Sequence, residues 1–337
     1  MKRIASLVTF FCLVSQALTV HAAIVSFGTG TNQFSMTFMP IGNPGNSADT
    51  TGTPVASGRV DYVYSIGEFE VSEDMIDKYN ASYGNANSQV ISKDIRGSNK
   101  PATGVSWNEA ARFVNWLNMS TNNAPAYKYT GTGVNENITL WDASNSLDYD
   151  SSNPYRSKRA VFALPSYNEW YKAAYYDSTL GNGLGGYWSY PTQSNQAPTA
   201  VSNGTSNGTA VYGFPGLGPA DVNDAGGRSY YGLMGMGGNV WEWQESALDL
   251  INNDPGEQRM LRGMSWLYDS SSTFLMAKNF TSNDIPVFSS EHLGFRVVML
   301  KSGSEVPEPS TFFIGSALAL AGLARTRRTK KLAQDLI

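Results

Sequence analysis

Two stretches of the chain place apolar residues at the period of an α-helix behind the same start signal. In VSWNEAARFVNWLN, Ala110, Phe113, Val114 and Leu117 recur three, four and seven positions apart, which predicts one buried stripe. Ser106 and Glu109 open it as a capping box, each side chain able to satisfy a free backbone N–H at the helix start. LPSYNEWYKAAYYD repeats the device, with Ser166 and Glu169 ahead of Trp170, Ala173 and Ala174. Glu109 and Glu169 therefore read as caps rather than catalysts. Ser72 reads as a further N-cap, with Glu73 and Asp74 in the first turn and Met75 and Tyr79 on one face.

Other stretches follow the two-residue period of a strand. YVYSIGEFE (Tyr62 to Glu70) alternates and is aromatic and β-branched. In GFRVVML (Gly294 to Leu300), Phe295, Val297 and Met299 alternate toward a core. In NVWEW, Asn239, Trp241 and Trp243 face one way, and Val240 and Glu242 the other. MLRGMSW (Met260 to Trp266) is a further short segment. Between Gly181 and Arg228 the chain is rich in Gly, Pro, Asn and Thr, too long a stretch for a structureless loop without a function or an unusual fold behind it. Early helices, later short strands and long loops predict an irregular α+β domain.

The two ends have patterns of their own. Lys2-Arg3, the apolar run from Ile4 to Leu18 and the small-residue end Val20-His21-Ala22-Ala23 read as a secretory signal peptide, assigned to residues 1–22. At the other end, Pro307, Glu308 and Pro309 cannot continue a helix. A 13-residue apolar run, Phe312 to Ala324, follows, and then Arg325, Arg327, Arg328, Lys330 and Lys331. This order resembles the PEP-CTERM sorting signal of Gram-negative bacteria. The resemblance implies a short transmembrane helix over part of residues 303–337, passage through the inner membrane, an exosortase-type partner and delivery to the outer surface or the extracellular space. The body of the chain, 23–302, is left as one domain.

Composition narrows the chemistry. Cys12 is the sole cysteine of the 337 residues and lies inside the signal, so the mature chain has no thiol. That excludes a disulfide framework, a cysteine nucleophile and a thiolate metal site. Of the two histidines, His21 lies in or beside the signal, and His292 alone cannot build a multi-histidine metal centre. The net charge is −4, with no basic stripe in the body, which argues against nucleic acid as a partner.

Six segments carry a second resemblance. They are YSIGEFEVS, PATGVSWNEAARFVNWLN, LPSYNEWYKAAYYD, GLMGMGGNVWEW, RGMSW and GFRV, in that order between Tyr64 and Val297. Together they resemble the formylglycine-generating enzyme family, or sulfatase-modifying factor family. The resemblance implies an irregular C-type-lectin-like fold with little regular secondary structure. It also implies a copper site of two cysteines, whose positions fall here on Tyr268 and Thr273, so copper is not expected. Trp241 and Ser265 match pocket residues of the enzymes. With Trp266, Tyr268 and Thr273 they form the candidate ligand pocket, for a glycan or a peptide. The resemblance implies a calcium site as well, with Glu242 as carboxylate and Gly238 and Val240 as backbone donors. Gly235 stands where an Asn or Asp ligand would be, so the site lacks one side chain.

The expected function is a non-catalytic binding or scaffold module of the cell envelope or extracellular matrix. The alternative is a family enzyme with cysteine-independent chemistry, drawing its acid or base from Glu242, Asp269 or His292.

Overall fold

A computed structural model describes residues 21–300, apart from 55 and 215. The sorting-signal residues Pro307, Glu308 and Pro309, the short apolar helix after them and nearly all of the signal peptide lie outside the described residues. Among the described residues no helix is long and apolar enough to cross a membrane.

Both capping boxes form. Glu109 N donates to Ser106 Oγ at 3.2 Å, and Ser106 N donates to Glu109 Oε2 at 2.9 Å, ahead of the helix Trp107–Ser120. The pair Ser166 and Glu169 opens the helix Tyr167–Tyr175 in the same way. Ser72 does not cap: it is extended, the helix Glu73–Tyr79 follows it, but its side chain makes no cap bond. Glu73 instead turns its carboxylate to the backbone N–H groups of Arg96 and Gly97, at 2.8 and 3.2 Å.

The long helix buries more than its predicted stripe. Ala110, Phe113, Val114 and Leu117 are buried, and so are Asn108, Arg112, Asn115 and Asn118. Their amides and guanidinium make this possible by serving as backbone partners for the chain around them. Asn115 exchanges two hydrogen bonds with Tyr127, and Asn118 Oδ1 accepts from Val161 N and Phe162 N. An amphipathic pattern thus yields a helix covered on both faces.

Among the described residues the strands form two larger sheets and two two-stranded ones. The first is antiparallel and five-stranded, in the order Ala23–Phe27, Phe34–Ile41, Tyr64–Gly67, Val298–Met299, Phe162–Ala163. The second runs Ser282–Asp284, Arg259–Arg262, Trp241–Ala247, Leu293–Gly294, with the last pair parallel. The predicted strand at Tyr62 to Glu70 shrinks to Tyr64–Gly67. GFRVVML gives only fragments of strand near its ends, Leu293–Gly294 in the second sheet and Val298–Met299 in the first, so the stretch passes from one sheet to the other. The stretch from Gly181 to Arg228 is not structureless: Thr199–Val201 and Thr209–Val211 pair in parallel, and Val211 bridges Gly238.

Candidate functional site

Glu242 lies on the Trp241–Ala247 strand and is fully buried. Arg296, equally buried, donates from Nη2 to Glu242 Oε1 and from Nε to Glu242 Oε2, both at 2.5 Å. Trp170 Nε1 adds a third bond, 2.7 Å, to Oε2. The remaining guanidinium nitrogen of Arg296 donates to Gly67 O at 3.0 Å, and Nη2 also reaches Met234 O at 3.0 Å. One ion pair therefore joins both sheets, the Tyr167–Tyr175 helix and the glycine-rich loop before Trp241. Burial alone would lower the Arg296 pKa, but the Glu242 charge outweighs it and holds it above its ordinary value.

A second carboxylate sits beside this pair. Glu70 is fully buried, accepts from Asn239 Nδ2 at 3.0 Å through Oε1, and leaves Oε2 without a hydrogen-bond partner among the described residues. Gly235 makes the room for it. Its φ is +73°, and a Cβ there would run into the Glu70 carboxylate. The position that lacks an Asn or Asp ligand is thus packed by a carboxylate from the Tyr64–Ser72 segment.

These donors are a poor match for calcium. The ion takes six to eight oxygens. Both oxygens of Glu242 are already committed to a guanidinium, and the side chain implied at Gly235 is missing. Gly238 also has a positive φ, and a Cβ there would run into the carbonyl of Val211. Val240 is buried in a small cluster with Val211, Met234 and Trp266. Among the described residues no group of three or more His, Cys, Asp or Glu is placed to hold a metal ion.

The candidate pocket residues are only partly brought together. Trp241 is buried, with its ring edge-on to Tyr268 at 6.1 Å and tilted on Phe280 at 6.2 Å. Tyr268 in turn meets His292 edge-on at 6.4 Å, and Phe274 meets Phe280 at 5.7 Å. Aromatic rings therefore fill the ground around Tyr268. Trp266 belongs elsewhere, in the cluster with Val211 and Val240, where Arg96 lies 5.7 Å from its ring. Ser265 is buried and its Oγ accepts from Leu267 N. Thr273 lies half-buried in the 3₁₀ turn Ser270–Met276.

The acid and base candidates do not assemble. Glu242 is sealed against Arg296. Asp269 is exposed and caps the Ser270–Met276 turn through Ser271 N, at 2.9 Å. His292 is half-buried, its pKa lowered by burial, and its Nδ1 pairs with Ser290 Oγ at 3.1 Å. No carboxylate is hydrogen-bonded to the ring among the described residues.

Sequence patterns did not reveal Arg296, Glu70 or Phe280 as members of the site. The first two lay in motifs already in view, GFRV and YSIGEFEVS. The signal that could have found them is a charge within an otherwise buried pattern, since a buried charge needs a partner.

Two larger sheets, two small ones, few helices and long ordered loops define an irregular α+β domain of the C-type-lectin-like class. Residues 24–301 match the family model described as the sulfatase-modifying factor enzyme 1-like domain, and the chain belongs to that family. Among curated relatives, it is 31% identical over 172 residues to the mouse protein named inactive C-alpha-formylglycine-generating enzyme 2, covering 49% of this chain and 51% of the relative. The cattle protein of the same name is 32% identical over 147 residues, covering 42% and 44%. The chain spans about half the length of the curated relatives it matches. Among solved structures, Treponema denticola variable protein 1 superposes with a TM-score of 0.53 at 20% identity, covering 84% of this chain and 100% of that one. CarF gives 0.52 at 21%, covering 79% and 99%. At those identities the likeness is one of fold alone.

Proposed function

We propose that this chain is an exported, surface-associated protein whose domain binds a ligand or scaffolds the cell envelope without catalysing a reaction. The observation that carries the reading is the replacement of both copper-ligand positions. Tyr268 stacks edge-on against Trp241, and Thr273 offers a hydroxyl where a soft thiolate would be needed. The names of the mouse and cattle relatives, both called inactive, fit that reading. The PEP-CTERM-like end, with Pro307, Glu308 and Pro309, supports export and sorting by an exosortase-type partner. In the frame that the resemblance assigns to calcium, the proposal makes Arg296 the resident cation, because it already neutralises Glu242.

The test is direct. The mature domain is incubated with copper and a peptide carrying a sulfatase cysteine motif, and the peptide is weighed by mass spectrometry. An unchanged cysteine is expected. Conversion to formylglycine would overturn the proposal.

A further inference from the structure

We propose that a cleft beside the long helix, remote in sequence from Trp241 and Tyr268, is a binding site for a neutral saccharide. The inference rests on the reading of the domain as a binding module and gives that module a place and a ligand class. The cleft has a volume of about 340 Å³ and is lined by Tyr83, Gln89, Arg112, Lys128, Tyr129 and Trp141, among others. That is within the size range of small-molecule sites.

Three observations point to a ligand. The first is a pair of half-buried aromatic rings. Tyr83 packs one side on Tyr79, at 5.8 Å, and Trp141 is held in place by its Nε1–H bond to Ala126 O, at 3.0 Å. Rings fixed in this way lose little freedom when an apolar face stacks on them.

The second is a set of unused polar groups around the rings. Arg112 is 7% exposed and lies 3.5 Å over the Tyr129 ring. Its Nη2 donates to Gly131 O and Gly133 O at 3.1 and 2.8 Å, while its Nη1 makes no hydrogen bond among the described residues. The Gln89 side-chain amide and the Tyr83 hydroxyl make none either. Three donors or acceptors therefore belong to residues that line the same cleft as the two rings, without partners among the described residues, and hydroxyl groups of a ligand would complete them.

The third is the charge balance, which selects the ligand class. Lys128 is paired with Asp142 at 3.1 Å, and Arg112 Nη2 lies 3.7 Å from Glu136. Each cation at the cleft already has its carboxylate, so no net positive field draws in a phosphate or a polyanion. A neutral saccharide presents C–H faces for the rings and hydroxyls for the free amide, phenol and guanidinium nitrogen.

The experiment is titration calorimetry of the mature domain with cellohexaose and maltohexaose as neutral probes and an alginate hexasaccharide as an acidic one. Binding of a neutral probe is expected. Gln89→Ala should lower its affinity about tenfold with an unchanged melting temperature, Tyr83→Ala should lower it about as much with some loss of melting temperature from its contact with Tyr79, and Trp141→Phe should lower it less. Tyr268→Ala should leave it unchanged. Loss of binding in Tyr268→Ala but not in Tyr83→Ala or Gln89→Ala would overturn the cleft while leaving the binding-module reading intact. Binding of the acidic probe alone, or of none, would also overturn it. The binding-module reading itself falls separately, on turnover of the cysteine peptide.

Discussion

Arg296 grips Glu242 with two nitrogens, each 2.5 Å from a carboxylate oxygen, and neither residue is exposed to solvent. Removing one partner strands a charge in the interior, which costs about 3–5 kcal/mol in comparable buried pairs. Arg296→Met and Glu242→Leu should each lower the urea midpoint steeply. The double variant should lose less than the two singles added together, because it leaves neither charge of the pair without the other, although Trp170 Nε1 and the carbonyls of Gly67 and Met234 lose their partners. Equilibrium unfolding of all three measures this. Singles costing less than about 1 kcal/mol would show that the pair is not the anchor described above.

The same guanidinium bears on calcium. If Arg296 is the cation of this frame, saturating calcium and excess chelator should give the same melting temperature in scanning calorimetry. A calcium-dependent rise would sink that reading, since a ligand that binds only the folded state stabilises it by mass action. Gly235→Asn should not create a site. Its Cβ collides with the Glu70 carboxylate, so the expected result is a loss of about 1–3 kcal/mol with no gain in calcium binding.

Glu70 should leave a mark on the pH dependence of stability. Burial pushes its carboxyl up, Arg296 pulls it back and Glu242 adds to the rise, so it moves from an ordinary 4.5 to about 7. The folded chain then keeps a proton that the unfolded chain releases, and stability falls as pH climbs from about 4.5 to about 7. Glu70→Gln should flatten that slope and raise stability above neutral pH. Glu169 works in the opposite sense. Burial raises its pKa, but Arg156, 3.1 Å away, outweighs burial and holds it below its ordinary value. Its contribution is lost only as pH falls below 4.5, and Glu70→Gln should leave that acid limb in place. Unfolding free energies between about pH 2 and 8 test both limbs, and identical curves for wild type and variant would refute the first.

The capping boxes give a smaller and cleaner test. Ser106→Ala removes the acceptor for Glu109 N and a 2.8 Å bond to Asn135. A loss of about 1 kcal/mol is expected from the cap alone. Urea unfolding reads it out, and a variant as stable as wild type would mean that solvent replaces the cap without penalty.

What the sequence made legible was local. Ser106 with Glu109 and Ser166 with Glu169 could be read as caps because both partners lie within one helical turn. The apolar stripe of the long helix was legible for the same reason. The burial of its polar side was not legible, because Asn115 and Asn118 find their partners at Tyr127 and Phe162, which no local pattern announces. The site suffered more. Glu242 and Arg296 are 54 positions apart, and Glu70 meets Asn239 across 169. The motif containing Glu242 was conspicuous, but its partners were set by the way two sheets meet. The empty position at Gly235 could be read from the chain; the carboxylate that fills it could not.

The order of strands in the five-stranded sheet sets a timetable. Val298–Met299, the last strand of the domain, lies between Tyr64–Gly67 and Phe162–Ala163, not at an edge. Met299 is paired with Ser65 on one side and Phe162 on the other, so the first strands cannot be joined to the Phe162–Ala163 strand until the last of the domain has been made. Contacts that distant are formed late, after the cost of closing a long loop has been met. A chain emerging from its N-terminus would carry an open gap in its sheet almost to the end, and Arg296, the residue that fastens both sheets, arrives just ahead of the strand that closes it.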